Sequence, residues 1–295
     1  MLVPGLVLFE GLPGSGKSTS ASELAGWMAQ GGALVDHWPE SRPDHPVDLD
    51  QVAVLTDRDR ERLGAAGPGW DRILSAVVEP SDGAWLVRSP QDRGLPSALA
   101  AALQALEVYD GDIDPEVHGR VLRESWRQFG AAAPPAATQV WECVFIQNPV
   151  CAFVARFDRP YDELADHVRS LAETVLDQDP ALVYLDPGDP EEALRRAAAE
   201  RPAAWLDFVV AYHTEQGYGL ARGLRGFDGY VEFMRHRREL ELTLIADLPI
   251  PVHVVETSTT SREESAASIR EFARRHLRDT SVPTEGEGGV RPAAG

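Results

Sequence analysis

Apolar and polar residues along the chain fall into short runs separated by glycine and proline, and the spacing within the runs alternates between strand-like and helix-like. Residues 6–9, Leu-Val-Leu-Phe, form a β-prone run that stops at Glu10-Gly11. A Gly/Pro/Ser loop follows, and Thr19 to Gln30, rich in alanine and leucine, predicts a helix. Gly31-Gly32 stops it, and Ala33–His37 is the next strand, so the chain opens as a strand–helix–strand unit and points to a parallel sheet. From Pro39 to Pro135 the texture becomes polar and proline-punctuated, with helical spacing in Leu95–Tyr109 and Pro115–Phe129. Strand character returns at Gln139–Ile146, Leu182–Asp186 and Pro251–Glu256. Helices are expected at Tyr161–Leu176, Asp189–Glu200, Tyr230–Leu248 and Ser261–Leu277, and a Gly/Arg-rich loop at Gly217–Gly229. The pattern predicts one α/β domain over residues 1–278. Residues 279–295 have almost nothing to bury and are expected to form a disordered tail.

Composition narrows the functional classes. The chain has 295 residues and is 43% hydrophobic, enough for a substantial core. Its net charge of −19 opposes general binding to nucleic acid or to an anionic membrane surface. Two cysteines, Cys143 and Cys151, make neither a disulfide framework nor a zinc site, and no apolar run approaches the roughly 20 residues needed to span a bilayer. Residues 1–9 carry no basic n-region, so a cytoplasmic location is expected, as monomer or homodimer. Of the basic residues only one, Lys17, is lysine.

That lysine lies in Gly11-Leu12-Pro13-Gly14-Ser15-Gly16-Lys17-Ser18, which matches G-x-x-x-x-G-K-[ST] with the strand before and helix after that the motif requires. Gly11, Gly14 and Gly16 admit backbone angles that let successive N–H groups point at phosphate oxygens. The helix that begins near Lys17 adds the positive end of its dipole, and Thr19 lies in the same first turn. Lys17 supplies a mobile charge for β- and γ-phosphates, and the Ser18 hydroxyl suits Mg²⁺. ATP and Mg²⁺ are the expected cofactors. The guanine-specificity element N-K-x-D requires a lysine that the chain lacks, and no L-S-G-G-Q run is present, which disfavours a standard GTPase and a transporter-type ATPase.

Phe9 to Thr19, FEGLPGSGKST, resembles the opening of the thymidylate kinase and deoxynucleoside kinase branch of P-loop kinases. Leu182–Arg201, LVYLDPGDPEEALRRAAAER, is similar to the strand, acidic turn and arginine-bearing helix that lead into the lid of those enzymes. The resemblance implies a five-stranded parallel-sheet P-loop kinase fold with helices on both faces, a Mg·ATP site and a mobile arginine lid, here within 195–229. It also implies that 41–137 is a helical acceptor-side insertion between the second and third strands. Those kinases carry Asp-Arg or Glu-Arg at the end of the third strand, where this chain has Glu142-Cys143.

Other candidates follow from position. Glu40, after the second strand, is placed to accept an acceptor's hydroxyl proton, with Asp36 as its substitute. Glu142, inside an apolar strand, is expected near Mg²⁺ or its waters, because a buried carboxylate needs a partner. Asp186 reads either as a metal-site acid or as part of the turn before Asp189. Arg195, Arg196 and Arg201 are candidates to close over a triphosphate, with Arg222 and Arg225 in the loop beyond. Trp38, Trp70, Trp85 and Trp126 offer either stacking surfaces for an aromatic acceptor or core packing. The expected activity is transfer of the ATP γ-phosphoryl group to a small-molecule acceptor. The alternative is an ATPase or switch with a protein partner.

Overall fold

The computed structural model describes residues 5–277 apart from 41, 43, 66–68, 70, 71, 73–76 and 82. Trp70 and the expected tail 279–295 therefore lie outside the described residues. The chain runs β1 (Leu6–Gly11), α1 (Lys17–Gln30), β2 (Val35–Trp38), β3 (Val52–Leu55), α2 (Asp57–Ala65), β4 (Val77–Ser81), β5 (Ala84–Arg88), α3 (Ser97–Gln104) and α4 (Pro115–Ala131). It continues through β6 (Thr138–Glu142), α5 (Gln147–Val150), α6 (Tyr161–Thr174), β7 (Pro180–Asp186), α7 (Pro190–Glu200) and α8 (Ala203–Thr214). The last elements are α9 (Gly217–Ala221), α10 (Gly226–Ala246), β8 (Val252–Glu256) and α11 (Arg262–His276).

Five strands form one all-parallel sheet in the order β2-β6-β1-β7-β8. β1 is the middle strand and is buried along its whole length, which explains why its apolar run is unbroken by polar residues. Its two faces still alternate. Val7 and Phe9 pack with Leu24 and Met28 of α1 and with Ile269 and Phe272 of α11, whereas Leu6 and Leu8 pack with Trp126 of α4 and Tyr230 of α10. The register Phe9↔Glu142 and Gly11↔Leu185 brings the ends of β1, β6 and β7 to one edge. Chain connections leave β1 toward β6 and β2 on one side and toward β7 and β8 on the other, the arrangement that opens a crevice at the carboxyl edge of a sheet.

The segment between β2 and β6 is not purely helical as expected. β3, β5 and β4 form an antiparallel three-stranded sheet, and α4 joins its core to the main one: Val121 and Leu122 face Val54 and Leu86, while Trp126 lies against Trp141 of β6. Strands of four or five residues are too short for their alternation to stand out in sequence. β6 ends at Glu142, earlier than expected, because Cys143 turns to φ 68°.

Residues 217–229 are also not the loop that their glycines suggested, since α9 and the start of α10 lie there. Here glycine serves close approach. A Cβ on Gly219 would collide with the His213 carbonyl, and one on Gly217 with the Arg156 carbonyl of the π-helical stretch Cys151–Arg156 that continues α5. No helix among the described residues is long and apolar enough to cross a membrane.

Candidate functional site at the carboxyl edge of the sheet

The loop from Gly11 to Gly16 joins β1 to α1 in a backbone that only glycine adopts easily, with φ of 139°, 78° and 95° at Gly11, Gly14 and Gly16. Two of the three glycines are also sterically confined. A Cβ on Gly11 would strike the Leu185 carbonyl and one on Gly14 the Ala193 carbonyl, whereas Gly16 faces open space. Leu12 is buried beneath the loop, and the Ser15 hydroxyl is buried without a partner. Gly16, as N-cap of α1, contributes no side-chain oxygen, and the first turn has no acidic residue. The turn thus presents N–H groups and a positive dipole end, with Ser18 and Thr19 exposed on it, the arrangement that binds anions. Lys17 folds over the loop, donating from Nζ to the carbonyls of Gly11 (2.8 Å) and Leu12 (3.1 Å).

Glu10, one residue before the loop, has a structural task that no local pattern announces. Its carboxylate accepts the N–H groups of Phe145 (2.7 Å), Ile146 (2.9 Å) and Gln147 (3.0 Å), capping the start of α5. Burial pushes its pKa up to about 7, against the lowering effect of those three bonds. The cap fixes Gln147, whose Nε2 donates to Glu40 Oε1 at 2.6 Å. Glu40, exposed at the end of β2, is thereby tied back toward the loop.

These elements border a cavity of about 260 Å³ that Pro13 and Lys17 line together with Glu40 and Arg201. The Arg201 guanidinium lies 4.3 Å over the Trp205 ring, another lining residue. Asp50 and Asp110 line the same cavity, and burial together with the nearby charges of Asp110 and Glu40 raises the pKa of Asp50. The structure therefore brings Lys17, Glu40 and Arg201 to one cavity and leaves Arg195 and Arg196 outside it. Arg195 pairs with Glu191 at 2.8 Å and lies over Phe227, and Arg196 faces Glu192 across 4.0 Å on the exposed side of α7. Arg222 pairs with Asp158 at 2.8 Å.

Glu142 is buried at the end of β6 with Oε1 2.7 Å from His37 Nε2, while its Oε2 has no partner. Asp36 pairs with Arg42 at 3.0 Å. Asp186 follows the turn reading: it accepts from Gly188 N–H at 3.0 Å and from Arg238 at 2.5 and 2.7 Å, and Asp189 caps α7.

Among the tryptophans, Trp126 is core, Trp38 lies under Arg42 (3.4 Å), and Trp85 lies under Arg60 (3.9 Å). The aromatic residues that line the cavity include Trp205, Phe208 and Tyr212 of α8, with Tyr109 and Tyr230 beside them. Trp205, Phe208 and Tyr212 recur at i, i+3 and i+7, the spacing that marks one face of α8 in the sequence. Compared with protein-family models and with curated proteins, the chain matches none.

Proposed function

We propose that the protein is an ATP-dependent phosphotransferase that moves the γ-phosphoryl group to a hydroxyl of a small molecule held in the cavity beside Lys17. The observation that carries this reading is that the glycine loop and its lysine open onto the same cavity as Glu40 and Arg201. A loop of this kind alone binds anions; a cavity continuous with it gives room for a second substrate. Lys17 leaves its two carbonyl partners for the phosphates, Arg201 offsets charge as it spreads over the transferring group, and Glu40 accepts the hydroxyl proton. The five-stranded parallel sheet with β1 at its centre agrees with the kinase resemblance of Phe9–Thr19.

Mg²⁺ has a compatible donor set. The unpartnered buried oxygen of Glu142 and the exposed hydroxyl of Ser18 are hard oxygen ligands, directly or through water. When bound, the ion supplies screening of the phosphate charge. The test is ADP release measured with and without a panel of nucleosides, nucleoside monophosphates, sugars and hydroxylated antibiotics. Release that depends on one acceptor class is the expected result, and an equal rate without any acceptor would make the protein a hydrolase.

A further inference from the structure

Three residues of the helical wall of the cavity each carry a buried polar atom without a hydrogen-bond partner: His213 Nε2, Tyr230 Oη and Arg237 Nη2. They are three of fifteen such atoms among the described residues, and what sets them apart is that their residues line one cavity together. Each has a definite character. Arg237 is 1% exposed and is held by Glu241, which accepts from Nε at 2.6 Å and takes the Tyr184 hydroxyl on its other oxygen at 2.7 Å. Nη1 turns to Cys151 Sγ at 3.7 Å. The guanidinium charge is therefore already paired, and what remains is a directed donor at Nη2.

His213 Nδ1 lies 2.6 Å from the Val209 carbonyl, which can only accept, so Nδ1 carries the proton and Nε2 is a bare acceptor. Burial, with Arg237 nearby, pushes its pKa down to about 3, which keeps the ring neutral. The Tyr230 ring is 5.2 Å from that of His213, and its hydroxyl both donates and accepts. Tyr230 and Arg237 are seven residues apart on α10, on one face two turns along.

We propose that His213, Tyr230 and Arg237 are the specificity residues for the acceptor, and that they recognise a neutral group that both gives and receives hydrogen bonds: a ring-borne alcohol or carboxamide. A carboxylate or phosphate offers only lone pairs and would set one against His213 Nε2. An ammonium offers only N–H groups and would set them against Arg237 Nη2. A hydroxyl or a carboxamide satisfies both, and Trp205 and Tyr212 on the same cavity provide faces for its ring. The inference rests on the phosphotransferase reading only in calling the occupant an acceptor.

Its test needs neither nucleotide nor turnover. Benzamide, benzoate and benzylamine, which share one ring and nearly one shape, are titrated against the full chain by NMR. Benzamide is expected to bind about tenfold more tightly than either ion. Tyr230→Phe and His213→Phe are each expected to weaken benzamide about fivefold while sparing the melting transition. Tyr230→Phe removes a single oxygen and keeps the test open if the histidine variant does not fold. Tighter binding of benzoate or benzylamine overturns the proposal. So does benzamide affinity unchanged in a folded variant, which is what a structural water bridging the three atoms would give, and so does an absence of saturable benzamide binding at millimolar concentration. Benzamide bound through these side chains in a protein that shows no acceptor-dependent ADP release would instead keep the recognition set and remove the reaction.

Discussion

The glycine loop and the helical wall border one cavity and are constrained in opposite ways. At the loop the constraint is on backbone: Gly11, Gly14 and Gly16 sit where a Cβ is strained or has no room, and one lysine reaches back over them. At the wall the constraint is on side chains from α8 and α10, whose polar atoms are oriented by His213–Val209 and Arg237–Glu241 contacts and then left unpartnered. Backbone constraint leaves its mark in residue type at fixed spacing. Side-chain constraint of the second kind exists only after helices pack.

The sharpest contrast is in rate. Lys17→Ala removes the only side-chain amine of the chain and is expected to lower the proposed transfer by about 10²-fold or more. Two backbone carbonyls lose a buried donor, so a stability loss of about 1–3 kcal/mol is expected beside it, too small to unfold the protein. An independent readout uses the same singularity: an amine-acylating reagent has Lys17 and the N-terminus as its targets, and Mg·ATP should shield Lys17. Equal labelling with and without nucleotide would detach the lysine from phosphate binding.

Within the loop, Gly11→Ala and Gly16→Ala separate steric confinement from backbone strain. Both positions have positive φ, but only at Gly11 does the added carbon meet a carbonyl of the neighbouring strand. Gly11→Ala is expected to destabilise by about 3 kcal/mol or more, and Gly16→Ala by about 1–2 kcal/mol. Chemical denaturation compares them directly, and equal losses would mean that the loop yields around Gly11.

Much of this division was already readable. Gly11–Ser18 and the flanking strand and helix could be placed from spacing alone, as could most helices and every strand of the parallel sheet. The α11 start shows why: Ser261 and Glu264 form a reciprocal capping box written in four residues. Glu10 could not be read this way, because its three donors lie more than 130 residues away. The antiparallel sheet was hidden by strands of four and five residues. The wall was hidden because α8 was missed and because glycines used for close packing at Gly217 and Gly219 look like loop formers. Arg195, Arg196 and Arg201 were indistinguishable in sequence, and only the turn after α7 separates the last from the others.

Four buried histidines, one of them on the wall, carry a pH signature. Burial pushes His45, His118, His167 and His213 each down to about 3. The unfolded chain protonates a histidine near 6.5 while the native state refuses the proton, so each contributes stability above that pH and loses about 1.4 kcal/mol per unit as the pH falls toward 3. Glu10, raised to about 7, opposes one such proton because its native state holds a proton that the unfolded chain releases. The differential experiment avoids the sum: the stability of His213→Phe should fall with acid by one proton less than the parent between pH 6 and 4. Parallel curves would mean that His213 takes up a proton in the folded protein.

The smallest expected effect makes the finest distinction, between two arginines five residues apart. Arg201 borders the cavity with its guanidinium over Trp205, whereas Arg196 stands in solvent with a 4.0 Å approach to Glu192, a contact worth little once screened. If charge at the cavity matters, Arg201→Ala should lower kcat about tenfold and change ATP binding less, because the contact strengthens as charge spreads in the transition state. Arg196→Ala should leave both kcat and KM within about twofold of the parent, and stability within about 0.5 kcal/mol. Comparable kcat losses in the two variants would mean that α7 brings both arginines to the phosphates during turnover. The cavity as it stands would then be an open form of the site, and the proposed division between a phosphate-binding loop and an acceptor-selecting wall would have to include a moving helix between them.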